Sequence, residues 1–135
     1  MKKILIVDDD VRGVTSNLAK ALKEEGFDVS VLNDAERVIE LLKLEKFDGI
    51  ILDIMMPVPE SWSSDLKRES DHGLETGIIL FKIIRNGLPS IPIIFHTAKS
   101  SINIKHDRFT YAIKKPEFHN IIAEKLKELI SMSPK

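Results

Sequence analysis

The chain has no cysteine in its 135 residues, so disulfides and thiolate-bound metals are excluded and the composition fits a reducing cytoplasm. An excess of either charge is also missing, with 20 basic residues facing 21 acidic ones. No net field draws such a chain to nucleic acid or to a membrane surface, and neither direct DNA binding nor membrane attachment is expected of it. Long apolar runs are absent as well. The opening Met1-Lys2-Lys3 is followed only by Ile4 to Val7 before three aspartates, which is neither a signal peptide nor a membrane span. The length predicts a single domain over 1–132, with 133–135 as a tail: long enough for one core, too short for two.

What is there is an alternation of strand and helix. Ile4 to Val7 reads as a first strand, stopping at Asp8-Asp9-Asp10. From Val11 to Glu25 the apolar positions Val14, Leu18, Ala21 and Leu22 recur at helical spacing, and Gly26 supplies the stop. Asp28 to Leu32 is a second strand, and Asn33-Asp34 is placed to cap a helix whose face is Ala35, Val38, Ile39 and Leu42. Ile50, Ile51 and Leu52 form a short run of the kind buried on both faces of a parallel sheet, ending at Asp53 before a turn at Pro57. A helix over Thr76 to Asn86, a strand over Ile91 to Phe95, a weak strand over Tyr111 to Ile113 and a helix from Pro116 to Met132 complete the pattern. Phe118, Ile121, Ile122, Leu126 and Leu129 are the expected inward face of that last helix.

Five such units fall short of a barrel and predict a flavodoxin-like, doubly wound α/β/α sandwich with a parallel sheet in the order 2-1-3-4-5. That order sets strands one and three side by side. Asp8 and Asp9 then meet Asp53 at the carboxyl edge, where ligands bind in open sheets, and Thr97 and Lys115 reach the same rim after strands four and five. Two carboxylates about 4 Å apart repel by roughly 4 kcal/mol at an effective dielectric of 20, so three of them call for a cation. Oxygen-only ligands point to Mg²⁺ or Mn²⁺ rather than zinc. A hard metal, an ammonium and a hydroxyl around a carboxylate suit a phosphoryl group, with an aspartate as attacking nucleophile.

Taken together, Asp8-Asp9, Asp53-Ile54-Met55-Met56-Pro57, Thr97-Ala98 and Lys115-Pro116 resemble the receiver domain of two-component response regulators. The resemblance covers nearly the whole chain. It implies that Asp53 is the phosphoacceptor, Asp9 the principal metal ligand, Asp8 a ligand acting mostly through water, and the Met55 backbone carbonyl a further ligand. It also implies that Thr97 bonds a phosphoryl oxygen, that Lys115 pairs with it, and that the Lys115-Pro116 peptide is cis, as in many members. The phosphoryl donor would be a sensor histidine kinase or a histidine phosphotransfer protein, the output an altered contact with a downstream protein, and the only catalysis the domain's own phosphorylation and dephosphorylation.

Three stretches depart from the family pattern. A polar insertion over 58–73, containing Trp62, exceeds the roughly 12 to 15 residues at which structureless loops become uncommon, and follows Asp53 directly. Between Thr97 and Tyr111 the room for a fourth helix is short against a mean of about 11 residues, predicting a turn or irregular segment. Three residues before Lys115, where the family usually has an aromatic, stands Ala112, with Tyr111 one place off. This leaves Lys114 as the alternative to Lys115 and predicts that activation orders 58–73 and 99–108 rather than moving one helix. His72, His106 and His119 read as solvated side chains and His96 as a half-buried structural one. Two other functions are weighed: a phosphorylation-independent pseudo-receiver, and a haloacid dehalogenase-type phosphatase suggested by Asp8-x-Asp10, against which stand Arg12 and the lack of room for a cap domain.

Overall fold

Alternation along the strands divides the core into two layers. In β1 (Lys3–Val7), Leu5 and Val7 face one way and Ile4 and Ile6 the other, all essentially buried. The computed structural model, which describes residues 1–10, 13–99, 102 and 107–134, builds a five-stranded parallel sheet in the order β2-β1-β3-β4-β5. The remaining strands are β2 (Asp28–Leu32), β3 (Gly49–Leu52), β4 (Ile93–Thr97) and β5 (Thr110–Lys114). The expected flavodoxin-like arrangement is the one observed.

On one face, α1 (Val14–Glu24) and α5 (His119–Met132) pack Leu18, Leu22, Ile122, Ala123, Leu126 and Leu129 onto Ile4, Ile6, Ile51 and Ile94. On the other, α2 (Val38–Leu44) and α4 (Thr76–Gly87) bring Val38, Ile78, Leu80, Phe81 and Ile84 against Leu5, Val7, Ile50, Leu52 and Phe95. Strands covered on both sides need no polar alternation, which is why β3 and β4 are buried throughout.

Several boundaries differ from the sequence reading, each for a local reason. The second helix begins at Val38, because Ala35 turns into the core while the Asp34 carboxylate accepts the Arg37 N–H (3.3 Å) and holds a turn ahead of the helix. The fourth strand starts after Pro92 and runs to Thr97, drawing His96 and Thr97 into the sheet. The last helix starts at His119. Phe118 keeps extended backbone at its N-cap, so helical periodicity does not carry the ring inward and it is 75% exposed. Ile121, 41% exposed, lies beside the buried stripe of Ile122, Ala123, Leu126 and Leu129 rather than on it.

The long connection after β3 is present but is not a bare loop. It contains α3 (Ser64–Glu69), capped by the Ser63 hydroxyl, which accepts the Leu66 N–H at 3.2 Å. Trp62 packs against the α2/α4 layer, so its indole anchors the insertion. The predicted irregular fourth helix and His106 fall outside the described residues, apart from Lys99, Ile102, Asp107 and Arg108.

At the amino-terminal edge of the sheet one arginine fastens three elements. Arg85, near the end of α4, donates to the carbonyls of Leu88 (3.0 Å) and Ile91 (2.6 Å) and to Thr110 Oγ1 (2.7 Å). Its Nε lies 2.9 Å from Asp107 Oδ2, an ion pair without the alignment of a hydrogen bond. Only 14% of this side chain is exposed, so truncation strands carbonyls and a carboxylate. Arg85→Met is expected to cost about 3 kcal/mol of unfolding free energy in urea titrations; a loss below about 1 kcal/mol would mean that Arg85 does not fasten this edge.

Candidate functional site

The parallel register carries three acidic groups to one place. Val7 pairs with Leu52, and the Asp53 N–H donates to the Val7 carbonyl at 2.9 Å, so Asp8 and Asp53 leave adjacent strands side by side. Each uses one carboxylate oxygen on a backbone N–H: Asp8 Oδ1 accepts from Asp10 (2.9 Å), and Asp53 Oδ1 from Ile54 (2.7 Å). The other oxygens share a cation. Lys115 Nζ lies 2.7 Å from Asp8 Oδ2 and 3.2 Å from Asp53 Oδ2, with all three side chains at least 85% buried.

Lys115 reaches this point because its N–H donates to the Thr97 carbonyl (2.8 Å), extending the β4–β5 ladder by one residue. Its peptide to Pro116 is cis. Lys114, the alternative, is exposed at the end of β5. Oxygens of Asp8, Asp9 and Asp53 lie within 4.8 Å of one another. An all-oxygen cluster of this size can hold a hard divalent cation, and that is the donor chemistry Mg²⁺ takes.

The electrostatics point the same way. Burial, with the Asp53 charge adding to it, pushes the Asp8 carboxyl above its ordinary value against the pull of Lys115 and of the Asp10 N–H. Partial burial and the Asp8 charge push Asp9 up as well. Burial depresses the Lys115 ammonium, but its bonds and attraction to Asp8 and Asp53 outweigh this and hold it above the ordinary lysine value. One ammonium among three carboxylates is fully committed, and the carboxylates are still short of positive charge.

Thr97 is fully buried at the end of β4, its Oγ1 accepting the Lys99 N–H at 3.3 Å. Alternation puts it on the α4 side with Ile93 and Phe95. Ala112 lies on that side too, while Tyr111 is 42% exposed with the Lys125 ammonium 4.2 Å from its ring centre. No β5 ring therefore accompanies Thr97. Met55, directly after Ile54, is half-buried.

Gly77 and its neighbours escaped the sequence reading. The Gly77 N–H donates to the Ile54 carbonyl (2.8 Å), and a Cβ there would stand 2.0 Å from the Asp53 carbonyl oxygen. Only glycine lets α4 come this close to the site. A lone glycine on the apolar face of a helical pattern was the available signal.

A family model described as the response regulator receiver domain matches residues 4–61. Among solved structures, the response regulator protein TrrA from Thermotoga maritima, in complex with Mg²⁺ and BeF, is 27% identical, with 96% of this chain and 99% of that one covered at a TM-score of 0.72. The family match and the whole-chain structural likeness together support a response regulator receiver domain. A CheY-like receiver domain protein from Methanospirillum hungatei JF-1 shares the fold at 24% identity and a TM-score of 0.76, covering 98% of this chain and 95% of that one. The transcriptional regulatory protein CpxR of Escherichia coli (strain K12) is 49% identical over 57 residues, 42% of this chain but 24% of that protein. The match thus spans about a quarter of the length of these curated relatives. The family-model match ends at residue 61, whereas the structural likeness covers 98% of the chain. Among the described residues no helix is long and apolar enough to cross a membrane.

His96, beside Thr97, is fully rather than half buried, and its Nε2 has no partner among the described residues. Burial first, then the Lys115 charge, lowers its pKa from 6.5 to about 4; His119 adds to this, and Asp8 and Glu117 oppose it. The imidazole is therefore neutral in the fold at pH 7. As pH falls through about 6.5 the unfolded chain takes up a proton that the folded chain refuses until about 4, so stability is lost across that window, by roughly 3 kcal/mol in all. His96→Leu is expected to remove this part of the acid limb; parallel losses in both proteins between pH 6.5 and 4 would assign the limb to other groups.

Proposed function

We propose that this receiver accepts a phosphoryl group on Asp53 from a phosphohistidine of a sensor histidine kinase or a histidine phosphotransfer protein. The observation that carries the reading is Lys115, buried and shared between Asp8 and Asp53 at 2.7 and 3.2 Å at the end of the central strand. An Asp53 carboxylate oxygen forms the new bond to phosphorus as the phosphorus–nitrogen bond of the donor breaks, and the departing imidazole takes up a proton. Lys115 then turns from the carboxylates to the phosphoryl oxygens, and the Thr97 hydroxyl bonds one of them.

Mg²⁺, with Mn²⁺ as a substitute, is the metal this reading assigns, held by Asp9, by Asp53, by the Met55 carbonyl and through water by Asp8. When bound, it neutralises phosphoryl oxygens that the single ammonium cannot cover. Catalysis is confined to the domain's own phosphorylation and dephosphorylation, in the cytoplasm, with 1–132 as the working unit. The signal passes to a downstream protein by altered contacts, without direct DNA binding or membrane attachment by this chain.

Two measurements test the reading. Asp53→Asn keeps the shape and removes the attacking charge, so labelling from acetyl phosphate with Mg²⁺ should vanish with melting unchanged. A folded Asp53→Asn protein that still takes label would move the acceptor elsewhere, and an unlabelled wild type would make the chain a pseudo-receiver. For the metal, Asp9→Ala should abolish Mg²⁺ binding in calorimetry, whereas Asp8→Ala, acting through water, should weaken it by about 10- to 100-fold. Equal losses would mean that the two aspartates share one role, and a larger loss in Asp8→Ala that their roles are exchanged.

A further inference from the structure

The insertion leaves the fold after Pro57 and returns across the backbone that follows Asp53. Its last residue, Gly73, accepts the Met56 N–H at 3.1 Å. Three residues on, the fully buried Thr76 hydroxyl donates to the Met56 carbonyl at 2.6 Å. Both polar backbone groups of Met56 are thereby held by the returning chain. Gly73 itself has φ +103°, and a Cβ there would lie 3.0 Å from the Met56 carbonyl oxygen, so the return is closed to any larger residue without displacement.

A peptide unit is rigid and, when trans, points its carbonyl opposite to its N–H. The Met56 N–H and the Met55 carbonyl belong to one such unit. Fastening the N–H to Gly73 therefore fixes the Met55 carbonyl in the reverse direction, away from the insertion. The Thr76 bond fixes the next peptide unit, so two successive planes beside Asp53 are set from one side. The same return reaches a second part of the site: Glu75 lies 3.8 Å from the ammonium of Lys99, whose own N–H bonds Thr97 Oγ1.

We propose that the return of the insertion, residues 73–77, is a positioning segment that aims the Met55 carbonyl at the metal, with Thr76 as its anchoring hydroxyl. This rests on the metal site assigned under the proposed function. Outer-shell partners that orient a ligand commonly contribute about 10- to 100-fold in metal affinity; Gly73 stands in that relation to the Met55–Met56 peptide unit, and Thr76 holds the peptide unit that follows it. Neither Thr76 nor Gly73 is assigned to the metal itself, so each acts through the Met55–Met56–Pro57 backbone that it holds.

The test is isothermal titration of the full chain with MgCl₂, alongside thermal melting without metal. Thr76→Val removes the donor at nearly constant shape and is expected to weaken Mg²⁺ by about tenfold or more, while Thr76→Ser, which restores the hydroxyl, returns it to near the wild-type value. Gly73→Ala alters no side chain of the site and should weaken Mg²⁺ in the same way, giving the answer independently if Thr76→Val fails to fold. A purely structural role would lower the melting temperature and leave the affinity of the folded protein unchanged; wild-type affinity in folded Thr76→Val or Gly73→Ala overturns the positioning role alone. A wild type that binds no Mg²⁺ overturns the metal site and this inference with it.

Discussion

A single buried ammonium placed between two carboxylates, with a third close by, is the constraint on which this molecule turns. At an effective dielectric of about 20, each pair of charges near 4 Å apart is worth roughly 4 kcal/mol, so the three aspartates cannot be left to themselves. Lys115 compensates Asp8 and Asp53 directly, yet burial and mutual repulsion still hold Asp8 and Asp9 above the ordinary carboxyl value. The folded chain thus keeps a deficit of positive charge at one rim. A divalent cation is the kind of group whose charge would fill it.

Everything else in the fold serves to keep that arrangement in register. Parallel strands bring their carboxyl ends to one edge, so groups from β1, β3 and β5 meet without any of them being neighbours in sequence. The opposite edge has its own charged fastening, where Arg85 and Asp107 join α4 to the entries of β4 and β5. The two ion clusters differ in kind. Arg85 is surrounded by carbonyls and a hydroxyl that use its donors, whereas Lys115 faces groups whose charge exceeds its own.

The fold and the acidic rim were legible because both depend on signals that survive in one dimension: apolar runs of strand length, helical spacing, and aspartates placed where strands end. Strand order followed from the topology rule rather than from any residue. What was hidden depends on backbone contact. The Gly77 approach to the Asp53 carbonyl and the bonds that Gly73 and Thr76 make to Met56 have no periodic signature, since they are decided by where two distant segments cross. The helix inside the insertion was masked by its polar composition; it relies on the Ser63 cap and on Trp62, not on an apolar stripe. Phe118 was misjudged because periodicity was extended one turn past the point where the backbone becomes helical.

The sheet is a partition as well as a scaffold. Trp62, the anchor of the added chain, belongs to the α2/α4 layer, and the layer formed by α1 and α5 takes no residue from the insertion into its buried cluster. Substitutions on opposite sides of such a wall share no partners and should combine additively, whereas those on the same side are coupled through common neighbours. An insertion confined to one compartment can therefore be lengthened, shortened or rewritten while the α1/α5 half of the protein keeps its packing, which leaves one side of the domain free to diverge while the other stays constant.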